Sequence, residues 1–220
     1  MKAVPLASVV RECDRLLKPH TFVDYDGAVN GLQVENQHGV SRIAAAVDAT
    51  RATIRMAAAQ GANLLLVHHG LFWNATHPWT GCRYELVRQV VESDIAVYSM
   101  HLPLDAHPTL GNAAGLARAL RLQQVRPFFT EKGRPLGRRG LLKVSRAALS
   151  EQLERLLGAP PTLLAGGGNS CHRIGICTGG AGSHMKQAAA EGVDTFITGE
   201  GPHWTHSLAE DRVASASVRA

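Results

Sequence analysis

The chain has 220 residues, of which 45% are hydrophobic and 19% charged, enough to bury a core in one large or two small domains and too apolar for a disordered tail. Aromatic residues make up only 5%, so the core is expected to be built from Ala, Leu, Val and Ile. No nucleic-acid motif accompanies the net charge of +5, and apolar runs such as Leu64-Leu65-Leu66-Val67 fall far short of the ~20 residues of a membrane helix, so neither partner is expected.

In chain order, residues 4–17 carry apolar side chains at helical spacing and predict a first helix. Arg11, Glu12 and Asp14 follow the apolar stretch 4–10 without a small-residue cleavage site, so no secretory leader is expected. Cys13, Cys82, Cys171 and Cys177 show no Cys-x-x-Cys spacing, which suits a reduced, cytoplasmic protein better than a zinc knuckle. Residues 19–31 read as a loop, 42–48 as a strand, 50–60 as a helix and 63–67 as a buried strand. Residues 84–92 read as a helix, 95–100 as a strand and 112–120 as a helix. This alternation argues for a parallel or mixed sheet with helices on its faces. Residues 121–140, with Pro127, Gly133, Pro135 and Gly137, read as a junction. The basic cluster there, Lys132, Arg134, Arg138 and Arg139, reads as a solvated loop or as an anion-attracting lip. A helix is predicted over 147–157.

Residues 42–70 align without gaps on 173–201, with Arg42/Arg173, Ile43/Ile174, Gly61/Gly192 and Gly70/Gly201 among the identities. The shared order of strand, helix, Gly, strand, Gly argues for an internal duplication. The expected fold is therefore α/β: two similar halves, 1–120 and 121–220, each a mixed or parallel sheet with helices, facing a shared cleft. The strand at 95–100 and the loop at 101–105 would recur near 226–236, and the small, polar tail 212–220 carries no convincing strand signal. The second half is thus expected to lack its last strand and to expose a sheet edge.

Three segments carry chemistry. His68-His69-Gly70 ends a strand that looks buried on both faces, where ligands bind in α/β sheets. Successive strand residues point to opposite faces, so both imidazoles serve one site only where the strand gives way to a turn. His101-Leu102-Pro103-Leu104-Asp105 follows another strand, with Pro103 stiffening the path to Asp105. Each segment alone also reads as a hydrogen-bonded polar turn. Together they offer a mixed nitrogen and oxygen ligand set that suits Zn, Mn, Fe or a similar divalent ion. The third segment, Thr198-Gly199-Glu200, puts Glu200 opposite His69 in the repeat, with His203 and His206 just beyond. A fourth stretch, 24–34, mixes Asp24, Asp26, Asn30 and Gln33 with two glycines and reads as a polar turn before a strand. The other histidines, His20, His38, His77, His107, His172 and His184, read as surface or packing residues.

Asn30-Gly31-Leu32-Gln33-Val34-Glu35, His68-His69-Gly70, His101-Leu102-Pro103-Leu104-Asp105 with Gly111-Asn112, and Thr198-Gly199-Glu200, in this order, resemble the GTP cyclohydrolase I type 2 homologues, or Nif-three-like proteins. The resemblance implies a ring-shaped homohexamer with two divalent metals per subunit in a cleft between two similar halves. It implies metal ligands at His68, His69 and Asp105, with His101 beside the metals. The family's remaining His-x-x-x-Glu ligand pair has no counterpart here, so one metal or fewer is expected per chain. The family label implies hydrolytic opening of a purine nucleotide ring, with His101 or Glu200 moving protons. The alternative is a metal-binding, regulatory or metallochaperone-like ring without catalysis.

Overall fold

The computed structural model describes residues 2–73, 78–202 and the backbone of 214–217. It divides into two compact units, Met1–Leu104 and Asp105–Ala220.

The first unit holds a four-stranded sheet in the order β1 (Gly31–Val34), β4 (Ala96–Ser99), β3 (Leu64–His69), β2 (Ile43–Asp48). β2, β3 and β4 are parallel, and β1 is antiparallel to β4. Helices α2 (Arg51–Ala59) and α3 (Cys82–Glu92) connect the parallel strands. Ile54 and Val90 from these helices meet Leu65, Val67 and Val97 on one face. On the other, Leu6, Val9 and Val10 of α1 (Leu6–Leu17) pack against Leu64, Ala96 and Tyr98. Cover on both faces is why β3 reads as an unbroken apolar run.

α2 starts from a capping box, in which Thr50 accepts from the Thr53 backbone and Thr53 from that of Thr50. Thr50→Ala leaves one helix-end N–H without its partner and should cost about 1 kcal/mol, read as a lowered midpoint in chemical denaturation with an unchanged slope.

In the second unit β8 (Ser170–Cys177), β9 (Thr195–Thr198) and β10 (Ala214–Ser217) are parallel, and β7 (Thr162–Ala165) runs antiparallel to β10. Strands β7, β10, β9 and β8 thus repeat the order β1, β4, β3, β2. The register repeats too: Ile43 lies opposite Leu64 in the first unit and Ile174 opposite Thr195 in the second. The duplication read from the sequence is therefore a duplication of pairing. The missing strand is not missing. β10 fills its position, with Ala214 beside Thr195 and Ala165, so the expected open edge is occupied. Its Ala-Ser composition has little strand propensity, and pairing on both sides supplies what propensity does not.

A second departure lies in 121–140, which forms a hairpin of β5 (Gln123–Glu131) and β6 (Arg134–Ser145) on the outer side of β8. Glu131 faces Arg134, and the two turn residues, Lys132 and Gly133, both have positive φ, 49° and 76°. That is the turn that suits strand twist. Pro127 is tolerated because β5 is an edge strand. Arg138 is no solvated loop residue: it is buried and donates to the Gly137 carbonyl (2.8 Å) and the Ala106 carbonyl (2.9 Å). α5 (Asn112–Ala119) and α6 (Arg146–Leu157) bury Ala113, Ala117, Leu149 and Leu153 against Ile174 and Ile176 of β8, so α5 belongs to this unit's core. Phe128, Phe129 and Phe196 pack together elsewhere in this unit. No described helix is long and apolar enough to cross a membrane.

Candidate metal centre

β3 ends in His68 and His69, and β4 runs out through Met100 into His101. The two parallel strands lie side by side in register, Val67 opposite Ser99, so both ends open at the same level. There the rings of His68, His69 and His101 gather, with centroids 4.7 Å, 4.9 Å and 5.5 Å apart. One nitrogen from each lies within 4.8 Å of the others, a spacing at which one ion can take all three.

Each ring is held from behind through its own Nδ1. His68 Nδ1 lies 3.0 Å from the Met100 carbonyl, His69 Nδ1 2.7 Å from Asp48 Oδ1, and His101 Nδ1 2.8 Å from Asp24 Oδ1. A carbonyl can only accept, and an ionised carboxylate likewise. All three rings must therefore carry a proton on Nδ1, which leaves the lone pairs of neutral rings on Nε2. Outer acceptors of this kind fix the ring and raise its donor strength toward a metal. Burial, then the nearby His101 and His69, push the His68 pKa down to about 4, so this imidazole stays neutral well into acid. For Asp24, burial raises the pKa, but donors from His101, Asn30 and the Tyr25 backbone outweigh it and hold the carboxyl at about 2.

Trp73 stands edge-on to His101 at 4.8 Å and to His69 at 5.7 Å. A paramagnetic ion held by the three nitrogens should quench its fluorescence. Titrating Co2+ into the wild type and into Trp73→Phe checks this, and equal quenching in both would show that the ion binds elsewhere.

His68 and His69, the pair singled out in the sequence, therefore come together, and His101 joins them. Asp105 ends the single turn α4 (Leu102–Asp105), which starts directly after His101, and is not one of the three clustered groups. Pro103 sits inside that turn, so the stretch expected to be a stiff loop is a helical turn. Glu200 stands just beyond β9 as His69 ends β3; its side chain is exposed, and its backbone N–H donates to Gly179 at 3.0 Å. His203, His206 and His77 lie outside the described residues. His38 pairs with Asp94 at 2.6 Å and His184 packs edge-on against Phe129, in keeping with surface and packing roles. Asp48 carried no signal in the sequence beyond its place at a strand end. Asp24 and Asn30 were visible as a polar segment without a role.

The model of the Duf34/NIF3 (NGG1p interacting factor 3) family matches residues 4–217. A protein named GTP cyclohydrolase 1 type 2 homolog from Deinococcus radiodurans is 41% identical over 180 residues, covering 81% of this chain and 68% of that protein. One of the same name from Pseudomonas aeruginosa is 36% identical over 216 residues, covering 96% of this chain and 84% of that one. The crystal structure of TTHA1606 from Thermus thermophilus superposes with a TM-score of 0.89 at 29% identity, over 98% of this chain and 86% of that one.

Proposed function

Because the chain belongs to the Duf34/NIF3 family, we propose that it is a divalent-metal-dependent hydrolase acting on carbon–nitrogen bonds. The observation that carries this reading is the set of three clustered imidazoles, each with Nδ1 held by an outer acceptor. Such a donor set suits Zn or Fe, and an added carboxylate extends it to Mn. When bound, the ion supplies Lewis acidity and lowers the pKa of water. The chain's own residues do the rest. His68, His69 and His101 would hold the ion, and their outer acceptors fix each ring by its Nδ1 so that Nε2 is the donor atom. On the sequence grounds given above, Asp105 adds a carboxylate ligand and Glu200 carries the proton. The substrate is a purine nucleotide, which the relatives' name suggests, and the protein works in the cytoplasm as a homo-oligomer, a hexamer by resemblance.

A second reading, metal binding without turnover, is favoured by His101: a ring held among the ligands is not free to shuttle protons. The experiment that separates the two loads the purified protein with Zn2+, Mn2+ or Fe2+, measures metal content, and follows GTP by loss of its purine absorbance. Turnover that follows metal content supports the hydrolase. Bound metal with no turnover favours the second reading, and absence of any tight metal overturns both.

A further inference from the structure

One polar segment touches both histidine-bearing turns. The Asp24 side chain is only 5% exposed, yet four donors converge on its carboxylate: His101 Nδ1 at 2.8 Å, the Tyr25 N–H at 2.7 Å, Asn30 Nδ2 at 2.8 Å and the Leu102 N–H at 3.1 Å. Burying a carboxylate is costly, and a loop tie would not require a charge. The carboxylate's particular property is that it accepts in every direction, so the ring facing it must be a donor there. Asn30 reads the same turn from the other side. Its amide nitrogen donates to Asp24 while its oxygen accepts the His101 backbone N–H at 2.7 Å, so only one orientation of the amide satisfies both.

Three residues on, Gln33 governs the other turn. Its nitrogen donates to the Val29 carbonyl at 2.7 Å and its oxygen accepts the Leu71 N–H at 2.7 Å, two residues past His69. The amide lies so close over Gly70 that a Cβ there would collide with it. A side chain at this position would therefore displace the Gln33 amide from the Leu71 N–H.

We infer that Asp24, Asn30 and Gln33 are the positioning residues of the imidazole cluster: Asp24 sets the tautomer and direction of His101, Asn30 its backbone, and Gln33 the turn behind His69. They touch neither ion nor substrate and act through the ligands. The inference rests on the metal-centre reading for its purpose, but the tautomer it requires exists without any metal.

The test uses imidazole 15N NMR on the metal-free full chain at pH 8, followed by Co2+ titration read from its absorption bands. In the wild type, His68, His69 and His101 should all show the Nδ1–H tautomer. Asp24→Asn keeps the side-chain shape but turns one acceptor into a donor. His101 should then lose the Nδ1–H tautomer while His68 keeps it, and Co2+ should bind ~10–100-fold more weakly with altered bands. Gln33→Met, at a partly exposed position, should broaden or split the His69 resonances and weaken Co2+ with His101 unchanged; it carries the decision if Asp24→Asn does not fold. An Asp24→Asn protein that retains the His101 tautomer and binds Co2+ within twofold of wild type overturns the inference, as does a Gln33→Met protein with unaltered His69 and affinity. If the tautomer shifts as stated but the wild type takes up no Co2+, positioning stands and the metal reading falls.

Discussion

An alanine in place of His69 should leave the protein folded and strip it of a bound divalent ion. The side chain is 43% exposed, so its loss removes little core packing. The backbone at this position, paired with Asp48 across β2 and accepting from the Ala49 N–H at 2.9 Å, survives the change. The two remaining imidazoles form an incomplete set. The loss in affinity should exceed the ~10–100-fold typical of removing only an outer partner. Metal analysis after dialysis, beside circular dichroism, checks it, and an unchanged metal content would remove His69 from the ligands.

Acid should destabilise the metal-free protein through His68 before it reaches the carboxylates. The folded protein holds this imidazole at about 4, against 6.5 for the ordinary side chain. Between those values the unfolded chain takes up a proton that the folded chain refuses, so stability falls as pH drops from 6.5 toward 4, by up to roughly 3 kcal/mol. Below that window both states are protonated and this loss stops. Asp24 acts lower: its stabilisation is present above 3.8 and is lost as pH falls through about 2. His68→Gln should flatten the upper limb and leave the lower one. Bound metal competes with the same proton and should shift the upper limb toward acid. Urea denaturation at a series of pH values measures both limbs, and parallel curves for the two proteins would show that His68 is not the titrating group.

The parts of this fold that read clearly from the sequence are those whose signal is local. Leu64 to Val67 announce a doubly covered strand, and the offset of 42–70 against 173–201 matches the equivalence of the pairs Ile43–Leu64 and Ile174–Thr195. The His68–His69 pair marks the site because two adjacent imidazoles at a strand end stand out. What stayed hidden depends on distant partners. Asp24 and His101 are 77 residues apart, and Asp48 and His69 are 21 apart, so neither bond lies within a single helix, strand or turn. The β5–β6 hairpin was hidden for a different reason: Pro127, Gly133 and Pro135 are breakers in a helix or central strand, and an edge hairpin absorbs all three. β10 has almost no propensity of its own, and its neighbours decide it.

The hairpin also makes the two copies of the repeat unequal in company. β8 bonds to β6 on its outer side, whereas β2, its counterpart, ends its sheet among the described residues. Along β2 the exposed side chains are Ile43, Ala45 and Val47, followed by a single charge at Asp48. An apolar border strand with free backbone groups is a template for another strand of the same kind. In concentrated solution, contact between copies of this chain is therefore expected to start along β2. A lysine at Ala45, whose side chain is exposed, would interrupt that border at its midpoint.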